Sequence, residues 1–416
     1  MYSSAANFLQ KKFNFDAHYF LKGGFWLSLT QGIGIIFGIV TSALFAHYLS
    51  ETEYGTYRYM LSLAVLFSVF SLTGLGQSIL QTAAKKYYGF YQETVSINFI
   101  YNLGVLSSAL AGAGYYLYKE NIALALGCFL IALLQPVINS FQFTPTYLQG
   151  SGRFRETTVL QGIKTAFVSI ASLASLYLTQ DVIILVGAYL ASNALANLTS
   201  HLWYRPRKAA STPPELYTKY LSYAKHTSVR NILGNIVYRL DSIIIFTYLG
   251  AAELAIYTIA NIIPEQIKGS IKNLATLLTP KYAQHENLDV FKKFIFKRSA
   301  QLLVVLSVLT ALYVLVAPIV YGVLFPKYES AVLLSQLVAL SFPAMIAIIP
   351  SGALQAQLKE RELYTFNLQT AASTLALTIT LIFFYGLAGA IAAKIFSRYG
   401  TAIFSYAQIY LVKKYV

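Results

Sequence analysis

The sequence predicts an all-α integral membrane protein with twelve transmembrane helices in two six-helix bundles. Three observations predict it. Of 416 residues, 56% are hydrophobic and only 11% charged, where a soluble chain carries about 25% charged residues. Hydrophobic blocks long enough to cross a ~30 Å hydrocarbon core follow one another at 22–48, 56–82, 94–118, 121–148, 157–178 and 181–204. They resume at 221–249, 255–283, 299–322, 330–356, 362–385 and 387–411. Finally, Ser28–Tyr57 and Ser228–Tyr257 align without gaps, with identities that include Gly34/Gly234, Tyr48/Tyr248, Leu49/Leu249, Glu53/Glu253 and Tyr57/Tyr257. Duplicated units in the same orientation are a transporter architecture, with the binding site at the repeat interface. Long β-alternation is absent, which argues against a barrel.

Taken in order, residues 1–21 form a cytoplasmic or interfacial N-terminal segment. Lys11, Lys12, Asp16 and His18 leave no apolar signal-peptide core there. Phe8, Leu9, Phe13, Phe15 and Tyr19 alternate with polar residues, as in a short helix on the membrane surface; a disordered tail is the other reading. The N-terminal bundle is 22–204 and the C-terminal bundle 221–416. Between them, 205–220 reads as a cytoplasmic linker, with Arg205-Pro206-Arg207-Lys208 and Pro213-Pro214. His285–Arg298 reads as an amphipathic interfacial helix, and Pro136, Pro264, Pro318, Pro343 and Pro350 are candidate bends within spans. The lone Cys128 lies in a span, so disulfides play no part.

The net charge of +15 has two sources. Most bases lie on connections of one side, against Arg58, Lys119 and Lys327 on the other, which places both termini in the cytoplasm. Lys164, Arg230, Arg239, Lys268, Lys272, Lys394 and Arg398 lie instead within spans, with Asp241 and Glu265 as the acids there. A charge at mid-bilayer costs at least ~2.5–3.5 kcal/mol, so it faces an interior cavity or a partner. Asn261, Glu265, Lys268 and Lys272 are spaced to share one helical stripe, which Tyr257 and Thr276 extend. The repeat places Thr30, Ile39 and Thr41 opposite Arg230, Arg239 and Asp241, so charge was added to one half only. An ion-pair network that merely holds helices together is the competing account.

Several stretches resemble the superfamily of multidrug, oligosaccharidyl-lipid and polysaccharide exporters. HYLSETEYGTYRY follows the first span, and RLDSIIIFTYLGAAELAIYTIAN marks the matching junction of the second half. LQGSGRF, LTPKYAQ, LFPKYESA and YGLAGAIAA are similar to the polysaccharide and O-antigen flippase branch. The resemblance implies two bundles around a central, V-shaped cavity that moves lipid-linked sugars by alternating access.

A cationic cavity in a membrane needs an anionic cargo, and an undecaprenyl-diphosphate-linked oligosaccharide fits. Arg230, Arg239, Lys268, Lys272, Lys164, Arg398 and Lys394 are the candidates for gripping the diphosphate, Arg as a fork and Lys as a point charge. Counted by depth, Arg230, Lys164, Lys268 and Lys272 would receive it first, and Arg239, Arg398 and Lys394 next. Gln135, Asn139, Gln142, Asn193, Asn197, Asn235, Asn261 and Tyr257 are candidates for the sugar, with interhelical hydrogen bonds as the alternative. Asp241 and Glu265 either bind a coupling H⁺ or Na⁺ or neutralise neighbouring bases. No P-loop, HExxH-type metal site or catalytic carboxylate pair is present in the sequence, so a transporter without catalytic residues, metal or cofactor is expected. Its expected partners are the lipid-linked glycan, membrane lipids and other membrane proteins of polysaccharide assembly, and not nucleic acid. A cation-coupled exporter of drugs or metabolites, and a non-transporting component of glycan assembly, are the alternatives.

Overall fold

The computed structural model describes residues 17–206, 210–276, 288–356 and 360–411. Among these residues every regular element is a helix. Helices α1 (Ala17–Tyr48), α2 (Glu51–Phe67), α3 (Leu75–Ala84), α4 (Gly89–Tyr118) and α5 (Ile122–Phe141) come first. They are followed by α6 (Thr144–Gly150), α7 (Phe154–Leu178) and α8 (Val182–Tyr204). The second half holds α9 (Pro214–Tyr248), α10 (Ala251–Thr276), α11 (Leu288–Leu324), α12 (Glu329–Ala339), α13 (Ile348–Ala356) and α14 (Glu360–Leu411). Pairing α2 with α3, α5 with α6 and α12 with α13, and taking α14 as two legs, gives the twelve crossings.

Among the described residues, seven helices are long and apolar enough to cross a membrane, and two bent pairs raise this to nine. The charged α9 and α10 fall outside that count, and α14 counts once although it holds two crossings. Its legs join at Gly386, where φ is 56° and ψ is −133°. That conformation suits glycine, because a Cβ there would clash with the backbone. The sequence boundary between spans 362–385 and 387–411 falls on this residue.

The larger of the two bends, 66°, separates α2 from α3 and contains no proline. Its cause is a close approach. A Cβ on Gly74 would lie 2.5 Å from the carbonyl oxygen of Ala224 and 2.7 Å from the amide nitrogen of Ser228, both on α9. The Gly74 amide donates to Ser228 Oγ at 2.9 Å, so the chain turns where it lies against another helix's backbone. The 40° bend between α12 and α13 does begin at a proline, Pro343. Pro136, Pro264 and Pro318 sit inside helices that continue unbroken through them.

The chain divides into two compact units, Met1–Thr41 with Leu63–Ile232 and Ser42–Ser62 with Leu233–Val416. It passes from one to the other within α1, α2 and α9. In the first unit, Phe90, Tyr91, Tyr147, Leu148 and Leu160 form a core that also takes Tyr220 and Ala224. The residues from Pro214 onward, on the C-terminal side of the linker stretch, are therefore helical and packed. In the second unit, Ile295 packs with Ile349, Ala353, Leu354 and Ile409, and Phe294 packs against this cluster. The described part of the expected interfacial helix is thus the start of α11. Phe294 and Ile295 there are covered by α13 and α14, so this stretch does not lie alone on a membrane surface.

Candidate functional site

The second unit gathers charge on the stripe of α10 that the spacing predicts. Glu265 is its centre. Its Oε1 accepts from Lys394 Nζ at 2.9 Å and from Arg398 Nη2 at 2.5 Å, and its Oε2 faces Lys268 Nζ at 3.2 Å. Lys394 and Arg398 are one helical turn apart on the second leg of α14, so they present one face. The side chains remain reachable: Lys268 is 37% exposed, Glu265 23%, Lys394 18% and Arg398 11%.

A second layer extends the cluster to α9. Lys394 lies over the ring of Tyr257, 5.2 Å from its centre, and its ammonium is 3.4 Å from the hydroxyl. Tyr257 donates to Asp241 Oδ2 at 2.6 Å, and the Ser242 amide donates to Oδ1 at 2.6 Å. Three bases and two acids are thereby joined, a formal surplus of one positive charge. Arg239 is half-buried near Asp241 in sequence. Asn261 donates to the Tyr257 carbonyl at 2.7 Å, while its buried Oδ1 has no hydrogen-bond partner among the described residues.

Neighbouring helices fix this geometry. Tyr321 of α11 donates to the carbonyls of Ile259 and Ala260 at 3.0 and 3.1 Å, and accepts from Ser335 of α12 at 2.8 Å. That clamp sets α10. The break after α12 supplies Ser341, whose Oγ accepts from Arg398 Nη1 at 2.7 Å, while Tyr399 donates to the Leu340 carbonyl at 2.8 Å. Ser341 was missed in the sequence reading. The available signal was its place two residues before Pro343, where a broken span offers polar groups to a neighbour.

Lys268, Lys394 and Arg398 thus converge on one carboxylate and do not form successive stations across the membrane. Counting residues along a helix leaves out the direction and length of Lys and Arg side chains, which decide where their charges meet. The other candidates lie elsewhere. Arg230 is an exposed residue of α9 in the first unit. Lys164 donates to Asn197 Oδ1 at 2.7 Å, and Asn197 donates to the Ile138 carbonyl at 3.2 Å. Gln135 and Asn139 belong to a buried network in which Gln135 donates to Ser68 at 3.0 Å and Asn139 to Asn102 at 3.1 Å. Gln142 is exposed and donates to the Asn139 carbonyl at 3.3 Å; Asn193 donates to the Tyr189 carbonyl at 2.9 Å. The side chains of Lys272 and Asn235 lie outside the described residues.

Residues 20–280 match the polysaccharide biosynthesis protein family. No curated protein matches the chain. Solved structures with the same fold include a MOP superfamily transporter from Pyrococcus furiosus, reported for the reverse polarity of its binding pocket, which suggests a different function. That structure has a TM-score of 0.64 at 11% identity, covering 94% of this chain and 95% of that one. An outward-facing multidrug resistance MATE family transporter gives 0.62 at 12% identity, with coverage of 94% and 95%. An inward-facing one gives 0.63 at 13%, with coverage of 93% and 94%. This chain belongs to the polysaccharide biosynthesis protein family and has the fold of MOP superfamily transporters.

Proposed function

We propose that this transporter flips an undecaprenyl-diphosphate-linked oligosaccharide, a repeat unit of O-antigen or another surface polysaccharide, from the cytoplasmic to the outer leaflet of the plasma membrane. The observation that carries this reading is the cluster at Glu265, in which bases outnumber acids inside a membrane-spanning unit. Cationic side chains kept at a membrane-embedded position suit an anionic ligand, and a diphosphate diester offers two charges with a lipid tail that stays in the bilayer. The family's description as polysaccharide biosynthesis proteins supports the same cargo. For the Pyrococcus furiosus structure a reversed polarity of the binding pocket is reported to suggest a different function, and the surplus of base here likewise favours an anionic cargo.

In this reading Arg398 and Lys394 grip the headgroup with Lys268, and Arg239, Lys272, Arg230 and Lys164 attract it on its way. Asn261, on the same face of α10 as Glu265, is the residue we assign to a sugar hydroxyl. Glu265 is held by three cations, so Asp241 is the carboxylate we assign to a coupling H⁺ or Na⁺. Both termini lie in the cytoplasm.

Liposomes holding the purified protein should move a lipid-diphosphate-linked oligosaccharide between leaflets. Lys268→Glu or Arg398→Glu removes a charged contact to the headgroup, worth ~1.5–3 kcal/mol, and adds repulsion, so transfer should slow at least ~10-fold. Export of an organic cation without any transfer of lipid-linked sugar would replace this reading with that of a drug exporter.

A further inference from the structure

We infer that Glu265 is a built-in stand-in for the cargo's phosphate: its carboxylate occupies the cationic cluster in the empty transporter and is displaced when the anionic headgroup binds. The inference rests on the flippase reading and deepens it, because it assigns a role to the acid at the centre of the site.

Three observations carry it. The carboxylate uses both oxygens on three cations, Oε1 on Lys394 and Arg398 and Oε2 on Lys268. That is how a phosphate's oxygens are gripped by Arg and Lys. Next, the four groups are between 11% and 37% exposed, so an incoming anion can reach them. Last, the grip is uneven. Arg398 is also anchored to Ser341 and Lys394 rests on Tyr257, whereas Glu265 is joined to the helices around it only through these bases among the described residues. Two of the three cations are held from behind and the carboxylate is not.

One carboxylate carries a single charge beneath three bases, and a diphosphate diester carries two. The cargo is the better match and takes the place of Glu265 on arrival. When the headgroup leaves, the carboxylate returns. A transporter needs binding favourable enough to load and weak enough to unload, and an internal competitor supplies the second requirement without weakening the cluster itself.

Binding is measured in nanodiscs with two probes, a short prenyl-diphosphate-linked monosaccharide and inorganic pyrophosphate. Glu265→Gln removes the competitor and should lower the Kd of both probes at least ~10-fold, while the transfer rate in liposomes falls because release becomes slow. Glu265→Asp keeps the charge on a side chain one methylene shorter. It should tighten binding several-fold and serves as the test if the glutamine variant does not fold. Wild-type binding of the prenyl probe with equal or weaker binding in both variants overturns the stand-in role and leaves the flippase reading intact. Binding of pyrophosphate but not of the prenyl probe assigns the cluster to a free phosphate ligand and overturns both. So does failure of wild type and variants to bind either probe.

Discussion

Each unit carries a polar network that ties its helices together, and these two are built from different chemistry. The first unit joins Ser68, Gln135, Asn139, Asn98, Asn102 and Ser140, all neutral. Asn98, Asn102 and Ser140 are 1% exposed and Asn139 3%. The second unit joins Asp241, Tyr257, Glu265, Lys268, Lys394 and Arg398, and its charged side chains remain partly open. The difference teaches what each network is for. Amides that satisfy one another in a closed space fix helix against helix, at a modest gain of about 0.6 kcal/mol per bond in a membrane. Charges in a membrane are costly, so an accessible cluster with surplus base fits the ligand-binding role proposed above. The position comparison within the repeat points the same way. Tyr57 and Tyr257 correspond, but Thr41 stands where Asp241 is.

The contrast can be broken by experiment. The largest effect is expected from Arg398→Ala, which removes the anchored base while Lys394 and Lys268 still neutralise Glu265. Transfer of the lipid-linked sugar should fall ~100-fold, roughly 2.7 kcal/mol, with little change in unfolding temperature because no charge is orphaned. A matching fall in thermal stability would mean that the cluster is structural like its counterpart.

Asn139→Ala tests the other side. It leaves Gln135 and Asn102 short of partners and should cost ~1–3 kcal/mol of stability, read as a drop in unfolding temperature in detergent. Transfer per folded molecule should stay within ~2-fold, since ~0.4 kcal/mol is the most that a purely packing role passes to the chemistry. A large loss of transfer at unchanged stability would move Asn139 into the binding site.

The smallest expected effect belongs to Ser341→Ala. It removes one hydrogen bond behind Arg398, worth ~0.6 kcal/mol, and should slow transfer ~3-fold. No change at all would show that the break after α12 does not support the cluster.

Much of this organisation was legible in the chain. Hydropathy delivers the spans because the bilayer imposes one length and one composition on every crossing. The steps between Asn261, Glu265 and Lys268 already place them on one face, since 3.6 residues complete a turn. Lys394 and Arg398 share a face for the same reason. The helix that replaced the expected interfacial one at Leu288 was not legible, because an amphipathic stripe is the same whether lipid headgroups or neighbouring helices cover it. Nor was the 66° bend at Gly74, whose cause lies on α9, far along the chain.

By itself the sequence determined the membrane class, the twelve crossings, the duplicated halves, and the fact that bases within the spans exceed acids there. These follow from composition and period, which act locally and add up along the chain. Only the tertiary structure decided which charges meet. It gave Glu265 to three bases from two helices, turned Gln135 and Asn139 onto each other, and brought Ser341 to Arg398. Those pairings depend on how separate helices pack side by side, and no local rule of spacing contains that information.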